Sequence, residues 1–98
     1  MNFTGKTALI TGSGSGIGKS VAMMLADLGA DIVINDVNVE NAEKTAREII
    51  EKGRKAIASS ANVVKDNEVK EMFDRIAESF GSLDILVNNA GVTRDSLL

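Results

Sequence analysis

Short apolar runs alternate with longer amphipathic segments along the 98 residues, and this alternation limits the possible folds more than any other feature. Four apolar runs predict strands at residues 7–10, 31–35, 55–59 and 83–87. Segments with helical periodicity lie between these strands, and few residues are left for the connections. Such a pattern selects a parallel sheet with helices on both faces and right-handed crossovers. We therefore predict a single α/β domain with three layers.

Three helices are predicted, and a glycine ends each one: Gly29, Gly53 and Gly81. Asp66 is the expected N-cap of the third helix. Apolar residues at helical spacing are expected to face inward: Ile17, Val21, Met24, Leu25 and Leu28, then Val39, Ala42, Ala46, Ile49 and Ile50, then Val69, Met72, Phe73, Ile76 and Phe80. Opposite charges four residues apart predict ion pairs along the second helix: Glu40–Lys44, Glu43–Arg47 and Glu48–Lys52.

The composition excludes several classes of function. The chain has no Cys and no His, so it lacks the usual ligands for zinc, iron–sulfur and haem sites. Its 11 basic and 14 acidic side chains leave a net charge of −3, which argues against binding to nucleic acid or to an anionic membrane surface. The longest apolar run, residues 21–26, is too short to span a bilayer, and the first residues do not resemble a signal peptide. We predict a cytoplasmic location.

Four glycines occur within the seven residues 12–18, where the first strand meets the first helix. A flexible connection is one interpretation, but a tight turn needs fewer glycines than this. A site for a dinucleotide phosphate uses more: here Gly12 would turn the chain, Gly16 would admit the phosphate, and Gly18 would let the helix pack closely. Ser13 and Ser15 would add hydroxyl donors. The spacing before Lys19 and Ser20 is one residue too short for a P-loop.

Asp36 follows the second predicted strand and stands 18 residues after Gly18. A carboxylate at this position would accept hydrogen bonds from both hydroxyls of the adenosine ribose and would repel a 2′-phosphate. An ordinary turn aspartate is the alternative. No Arg or Lys occurs at residues 13–16 or 37–39 to hold a 2′-phosphate. NAD is therefore the predicted cofactor, in preference to NADP.

Two motifs resemble the signatures of the short-chain dehydrogenase/reductase family. Residues 11–18 match Thr-Gly-x-x-x-Gly-x-Gly, and residues 88–91 read Asn-Asn-Ala-Gly at the end of the fourth strand. Residues 88–98 look most like the 3-oxoacyl-[acyl-carrier-protein] reductase subgroup. The resemblance implies a Rossmann-type parallel sheet, truncated to about four strands in the order 3-2-1-4, with three helices.

The resemblance also implies which residues hold the cofactor. Asp36 would hold the adenosine ribose, and Asn89 would also brace the central strand. The complete set is Gly12, Ser13, Ser15, Gly16 and Ile17 at the pyrophosphate and adjacent ribose, Asp36, then Asn62 and Val63 beside the adenine, and Asn89, Ala90 and Gly91 beneath the cofactor. Many members carry Asp where this chain has Asn62. Two alternatives stay open: Asn62 as a plain loop residue, and Asn88–Asn89 as a turn that satisfies backbone groups.

The family's reaction resembles carbonyl reduction assisted by Ser, Tyr and Lys, and no Tyr occurs in this sequence. We expect an NAD(H)-binding module without hydride-transfer activity of its own, and no catalytic residue is predicted. One alternative is an oxidoreductase that is active only when a partner chain supplies the Ser-Tyr-Lys half. Another is a self-associating structural module with a vestigial nucleotide site.

The fourth strand is predicted to form an apolar edge of the sheet. Residues 83–87 are mostly apolar, and an unpaired strand edge is a template for further pairing. We expect a homodimer or a higher homo-oligomer that covers this edge, with two fourth strands meeting at a twofold axis.

Overall fold

The computed structural model describes residues 2–90. Four strands and three helices alternate along the chain: β1 (Thr7–Thr11), α1 (Gly16–Asp27), β2 (Asp31–Asn35), α2 (Val39–Glu51), β3 (Ala56–Ser59), α3 (Asp66–Phe80) and β4 (Ile85–Val87). The predicted alternation is confirmed, although β3 and β4 begin one and two residues later than expected. No helix within this part of the chain is long and apolar enough to cross a membrane.

The four strands form one parallel sheet in the order β3-β2-β1-β4, which confirms the predicted topology. Leu9 of β1 lies opposite Val33 of β2 and Leu86 of β4. After β3 the chain returns to the other side of β1, so the direction of strand addition reverses between β1 and β4. Such a reversal leaves a crevice at the carboxyl ends of the strands.

Successive strand residues point to opposite faces of the sheet and enter two separate cores. On one face, strand residues such as Ala8 and Ile32 pack with small and apolar residues of α1 and α2, namely Ala22, Ala26, Ala42, Ala46 and Ile49. On the other face, Leu9 and Val33 pack with Met72 and Ile76 of α3. Helices therefore cover both faces, which confirms the three layers.

The buried face of α1 differs from the prediction. Ile17 and Met24 are 77% and 59% exposed, whereas Gly18, Ala22 and Ala26 are buried. Small residues at a spacing of four let the helix axis approach the sheet, so the larger apolar side chains lie at the sides of the contact or outside it. In α2 and α3, the predicted inward residues Val39, Ile50 and Phe73 are likewise exposed.

The ion pairs of α2 reach α1 instead of running along the helix. Lys19 contacts Glu48 at 2.9 Å, and Lys52 contacts Asp27 at 2.8 Å. Within residues 2–90, the predicted pairs Glu40–Lys44 and Glu43–Arg47 do not form. The prediction of pairs within α2 was therefore wrong, because two helices packed on the same face of the sheet bring opposite charges closer than one helix turn does.

The ends of the helices agree with the prediction to within one residue. Gly81 is the C-cap of α3 with φ +84°, and Gly29 and Gly53 follow the caps of α1 and α2 with positive φ. Lys65, and not Asp66, is the N-cap of α3. Asp66 instead lies in the first helical turn, where its negative charge favours the positive end of the helix dipole.

Candidate functional site

A cleft of about 520 Å³ opens at the carboxyl ends of the strands, where the topology predicts a crevice. Residues at or just after the carboxyl ends of all four strands line it: Gly12, Ser15, Gly16, Ile17, Asn35, Asp36, Val37, Ala61, Asn62, Val63, Val64, Asn89 and Ala90. Nine of the eleven predicted site residues are therefore together in one cleft. Ser13 is not among them, and Gly91 lies outside the described residues.

The turn after β1 and the start of α1 pack against the loop after β4 because Gly12 and Gly18 have no side chain. Gly12 has φ +65°, and a Cβ atom there would lie 3.1 Å from the Ala90 Cα. A Cβ atom at Gly18 would overlap the Gly12 carbonyl oxygen and lie 2.7 Å from the Asn89 amide nitrogen. That amide donates to the same carbonyl oxygen at 3.1 Å. The loop after β4 therefore holds the glycine-rich turn in place.

Gly16 differs from its neighbours because it faces open space. Its φ is +62°, and no atom lies within 4 Å of a Cβ atom built on it. Helix α1 begins at this residue, its N-cap Ser15 makes no side-chain capping bond, and no acidic residue lies in the first turn. The first backbone N–H groups of a helix have no partner within the helix, and they attract anions together with the helix dipole. A phosphate group fits the space, the donors and the charge of this end of α1.

Ser13 is fully buried behind the turn and does not line the cleft. Its hydroxyl donates to the Ile10 carbonyl at 2.6 Å and accepts from the Asn35 N–H at 3.1 Å. Its own N–H donates to the Asn35 carbonyl at 2.9 Å. The predicted contact between the Ser13 hydroxyl and a phosphate is replaced by a structural role, since these bonds join the turn to β2.

The Asp36 carboxylate lies in the cleft and is oriented by two backbone donors. One oxygen accepts from the Gly14 N–H at 3.0 Å, and the other accepts from the Asn38 N–H at 3.0 Å. An ionised carboxylate has about four acceptor positions. The two oxygens therefore retain acceptor capacity for a ligand: the carboxylate shapes the turn and also faces the cleft.

Thr11 connects the two sequence motifs. Its hydroxyl oxygen accepts from the backbone N–H groups of Asn89 and Ala90 at 2.9 and 3.0 Å, and its hydroxyl lies 3.2 Å from the Asn88 side-chain oxygen. The Asn88–Asn89 segment thus braces β1, and Asn89 also lines the cleft. A link of this kind follows from the pairing of β1 with β4, which is a long-range contact.

Asn62 takes part in the turn that precedes α3. Its side-chain oxygen accepts from the Val64 N–H at 3.1 Å, and its own N–H donates to the Glu68 carboxylate at 2.8 Å. Val63 and Val64 lie beside it, and Val64 is 69% exposed. The side-chain oxygen of Asn62 therefore stabilises the loop, as one interpretation expects, and the residue also lines the cleft.

Four lining residues were missed by the sequence prediction: Asn35, Val37, Ala61 and Val64. Val37 directly follows Asp36 and Val64 directly follows Val63, so valines next to predicted site residues were the indication that the sequence offered. The structure shows both valines exposed. Asn35 gives no such indication, because it is buried and its amide donates to the Ala61 carbonyl at 3.0 Å. No cluster of acidic residues suited to a metal ion occurs within residues 2–90.

A parallel sheet in the order 3-2-1-4 with a glycine-rich turn at its switch point defines a nucleotide-binding fold of the Rossmann type. The chain belongs to the short-chain dehydrogenase family, whose model, described as "short chain dehydrogenase", matches residues 6–98. The predicted family is therefore confirmed.

Among its relatives, the 3-oxoacyl-[acyl-carrier-protein] reductase of Staphylococcus epidermidis is 47% identical over 94 residues, which are 95% of this chain and 38% of the reductase. The L-sorbose reductase of Gluconobacter frateurii, solved with NADPH and L-sorbose, is 40% identical with a TM-score of 0.88. That match covers 92% of this chain and 35% of the reductase. A 7α-hydroxysteroid dehydrogenase solved with NADH is 38% identical with a TM-score of 0.86, over 90% of this chain and 34% of that chain. The chain thus spans less than two fifths of these proteins.

Proposed function

We propose that residues 1–98 form one dinucleotide-binding domain of a short-chain dehydrogenase, and that this domain binds NAD(H) in preference to NADP(H). One observation carries the proposal: the space in front of Gly16 and the oriented Asp36 carboxylate open into the same cleft. Phosphate and ribose are the two ligand groups that these features suit, and a dinucleotide contains both.

The lining residues supply a place for each part of the adenosine half of the cofactor. Ser15, Gly16 and Ile17 offer backbone donors to the pyrophosphate, and Asp36 offers acceptors to the ribose hydroxyls. Adenine would lie on the apolar and amide side chains of the loop after β3, namely Asn62, Val63 and Val64, with Val37 beside them. Asn89 and Ala90 also line the cleft, and we propose that these two residues and Gly91 contact the cofactor. Bound NAD would supply a hydride acceptor at its nicotinamide ring.

The preference for NAD is supported by the charges of the lining. Asp36 is the one ionisable residue among the described lining residues, so the 2′-phosphate of NADP would meet a carboxylate and no cation. Lys19, at the start of α1, is paired with Glu48. Relatives of similar fold were solved with NADH and with NADPH, so discrimination depends on local residues such as Asp36.

Isothermal titration of the 98-residue chain with NAD, NADP and ADP tests this proposal. We expect NAD and ADP to bind, and NADP to bind at least about tenfold more weakly, the factor that corresponds to the loss of one charge-assisted interaction. Asp36→Ala should weaken NAD binding about tenfold and remove most of the discrimination, since it removes both the ribose acceptors and the repulsion. Equal affinity of the wild-type chain for NAD and NADP would contradict the assignment of Asp36.

We also propose that these 98 residues do not transfer hydride by themselves. The family's reaction resembles chemistry that uses a Tyr acid, and this sequence has no Tyr. Loss of a general acid costs about two to four orders of magnitude in rate. Oxidoreductase activity would then need further residues, supplied in the same protein or by a partner chain. Carbonyl-dependent oxidation of NADH or NADPH by the purified 98-residue chain would contradict this proposal.

Self-association through β4 is proposed as well. Leu86 is 57% exposed on this strand, while Ile85 and Val87 are half-buried. At the opposite edge of the sheet, the Arg75 side chain donates to the Ala58 carbonyl of β3 at 2.7 Å, so this carbonyl already has a donor. Two copies would pair their β4 strands antiparallel about a twofold axis. Sedimentation should therefore detect a dimer that Leu86→Lys dissociates, and a wild-type chain that stays monomeric at high concentration would contradict it.

A cytoplasmic location is the last part of the proposal. It is supported by the match to the short-chain dehydrogenase family and by a composition with no cysteine. Fractionation of cells that express the chain should recover it with the cytoplasmic proteins, and recovery in a membrane or secreted fraction would contradict this.

A further inference from the structure

The glycine-rich turn contains one glycine that the phosphate site does not explain. Gly14 does not line the cleft, and it lies outside the left-handed backbone region that would by itself require glycine. A Cβ atom at Gly14 would nevertheless lie 2.8 Å from the Asp36 Oδ2 atom and 2.8 Å from the Asn41 Cβ atom. The missing side chain therefore leaves room for the Asp36 carboxylate and for helix α2.

A buried hydroxyl holds the other side of Gly14. The Thr45 Oγ1 donates to the Gly14 carbonyl at 3.0 Å, and Thr45 is fully buried in the middle of α2. The two peptide groups that flank the Gly14 Cα thus have separate partners. The N–H on one side donates to Asp36 at 3.0 Å, and the carbonyl on the other side accepts from Thr45.

We infer that Gly14 and Thr45 set the discrimination between NAD and NADP by holding the Asp36 carboxylate in the direction of the ribose; this inference rests on the proposed function. Thr45 touches no part of the cleft, so it acts as a positioning residue. Without its hydroxyl, the buried Gly14 carbonyl has lost its donor. Reorientation of the turn to satisfy this carbonyl would move the Gly14 N–H away from Asp36.

The test compares the NAD and NADP dissociation constants of three variants that separate shape from hydrogen bonding. Thr45→Val keeps the shape and removes the hydroxyl, and we expect the NAD/NADP preference to fall about fivefold, less than the loss of a full charge-assisted bond. Thr45→Ser keeps the hydroxyl and removes a buried methyl group, so the preference should stay at the wild-type value although the protein is less stable. Gly14→Ala should lower the preference about tenfold, because Asp36 must move.

Thr7→Val is the matched control. Thr7 is a buried threonine at the opposite end of β1, so the same substitution there should leave the preference unchanged. Thermal unfolding of each variant reports whether it folds. If Thr45→Val does not fold, the other two variants still test the inference. The inference requires that the preference for NAD over NADP falls in Gly14→Ala and stays at the wild-type value in Thr45→Ser.

Coupling to Asp36 gives the sharpest result. In the Asp36→Ala background, Thr45→Val should cause no further change in the preference, because the group that it positions is gone. A further fall in that background would overturn the inference, and so would folded Thr45→Val and Gly14→Ala variants with wild-type preference. Failure of the wild-type chain to bind either dinucleotide would overturn the proposed function as well, so the two failures are distinguishable.

Discussion

The two ends of the sheet contain the same residue types, namely glycines with positive φ and aspartates, but only the carboxyl end leaves these residues open to a ligand. At the carboxyl ends of the strands, Gly12 and Gly16 have positive φ, and at the amino ends Gly29 and Gly53 do. The first pair borders the cleft, whereas Gly29 is packed against Thr4 and Gly53 follows α2. A left-handed glycine therefore identifies a turn at either end, and only its surroundings distinguish a binding site from a connection.

Polar side chains show the same contrast between the two ends. At the carboxyl end, Asp36 is oriented by backbone N–H groups and has no ion-pair partner among the described residues. At the amino end, Asp27 is paired with Lys52, and Asp84 accepts from the Thr7 N–H. Charges at the amino end thus serve the fold, while the charge in the cleft stays available to a ligand.

The largest difference between the ends is expected from alanine at the two glycines with the closest neighbours. Gly18→Ala forces its Cβ into the Gly12 carbonyl, a backbone group inside the turn. We expect a loss of about 3 kcal/mol in the free energy of unfolding and at least about 100-fold weaker NAD binding. Gly29→Ala places its Cβ 2.6 Å from the Thr4 hydroxyl at φ +105°. It should cost about 2 kcal/mol in stability and leave the affinity of the folded chain unchanged.

Urea unfolding and NAD titration measure both quantities, at one protein concentration because self-association would change the apparent stability. Equal effects of the two variants on NAD affinity would contradict the proposal that only the carboxyl end of the sheet binds the dinucleotide.

A smaller and better matched difference is expected at the two glycines that face open space. Gly16 and Gly53 have φ +62° and +91°, and no atom lies within 4 Å of a Cβ atom at either. Alanine at either position should therefore lower the free energy of unfolding by about 1 kcal/mol, through backbone strain alone. Gly16→Ala should also weaken NAD and ADP binding about tenfold by filling the phosphate space, whereas Gly53→Ala should not. Wild-type nucleotide affinity in Gly16→Ala would place the phosphate elsewhere.

The smallest effect is expected at the ion pair between Lys19 of α1 and Glu48 of α2. The hydrogen bond from Lys19 holds the pKa of Glu48 below its ordinary value, and the positive charges of Lys19 and Lys44 add to this, while desolvation opposes it. A lowered folded-state pKa stabilises the fold above the unfolded value of 4.5, and this contribution is lost as the pH falls through the folded value. Glu48→Gln should therefore reduce stability slightly at pH 7, and the difference from wild type should vanish in acid.

Urea unfolding of wild type and Glu48→Gln between pH 3 and 7 checks this, at about 0.1 M salt because the pair is partly exposed. A difference that stays constant across this range would contradict the lowered pKa.

The order of the elements, the parallel sheet and the place of the cleft could all be predicted from the pattern of residues along the chain. Those features depend on local patterns: alternation of apolar runs, glycines near the ends of helices, and a glycine-rich segment between a strand and a helix. The two family motifs also contain six of the nine predicted residues that line the cleft, because each motif is continuous in the chain. The other three, Asp36, Asn62 and Val63, lie outside the motifs.

The contacts between distant segments of the chain could not be predicted, because they depend on how the elements pack. The Ser13 hydroxyl accepts from the Asn35 N–H of β2, and the Thr45 hydroxyl donates to the carbonyl of Gly14, 31 residues earlier in the chain. Lys19 of α1 pairs with Glu48 of α2. The buried face of α1 could not be predicted from the spacing of its apolar residues either, because the close approach of this helix to the sheet buries small residues instead. Such contacts depend on the distance between packed elements, and a one-dimensional pattern of residue types does not contain that distance.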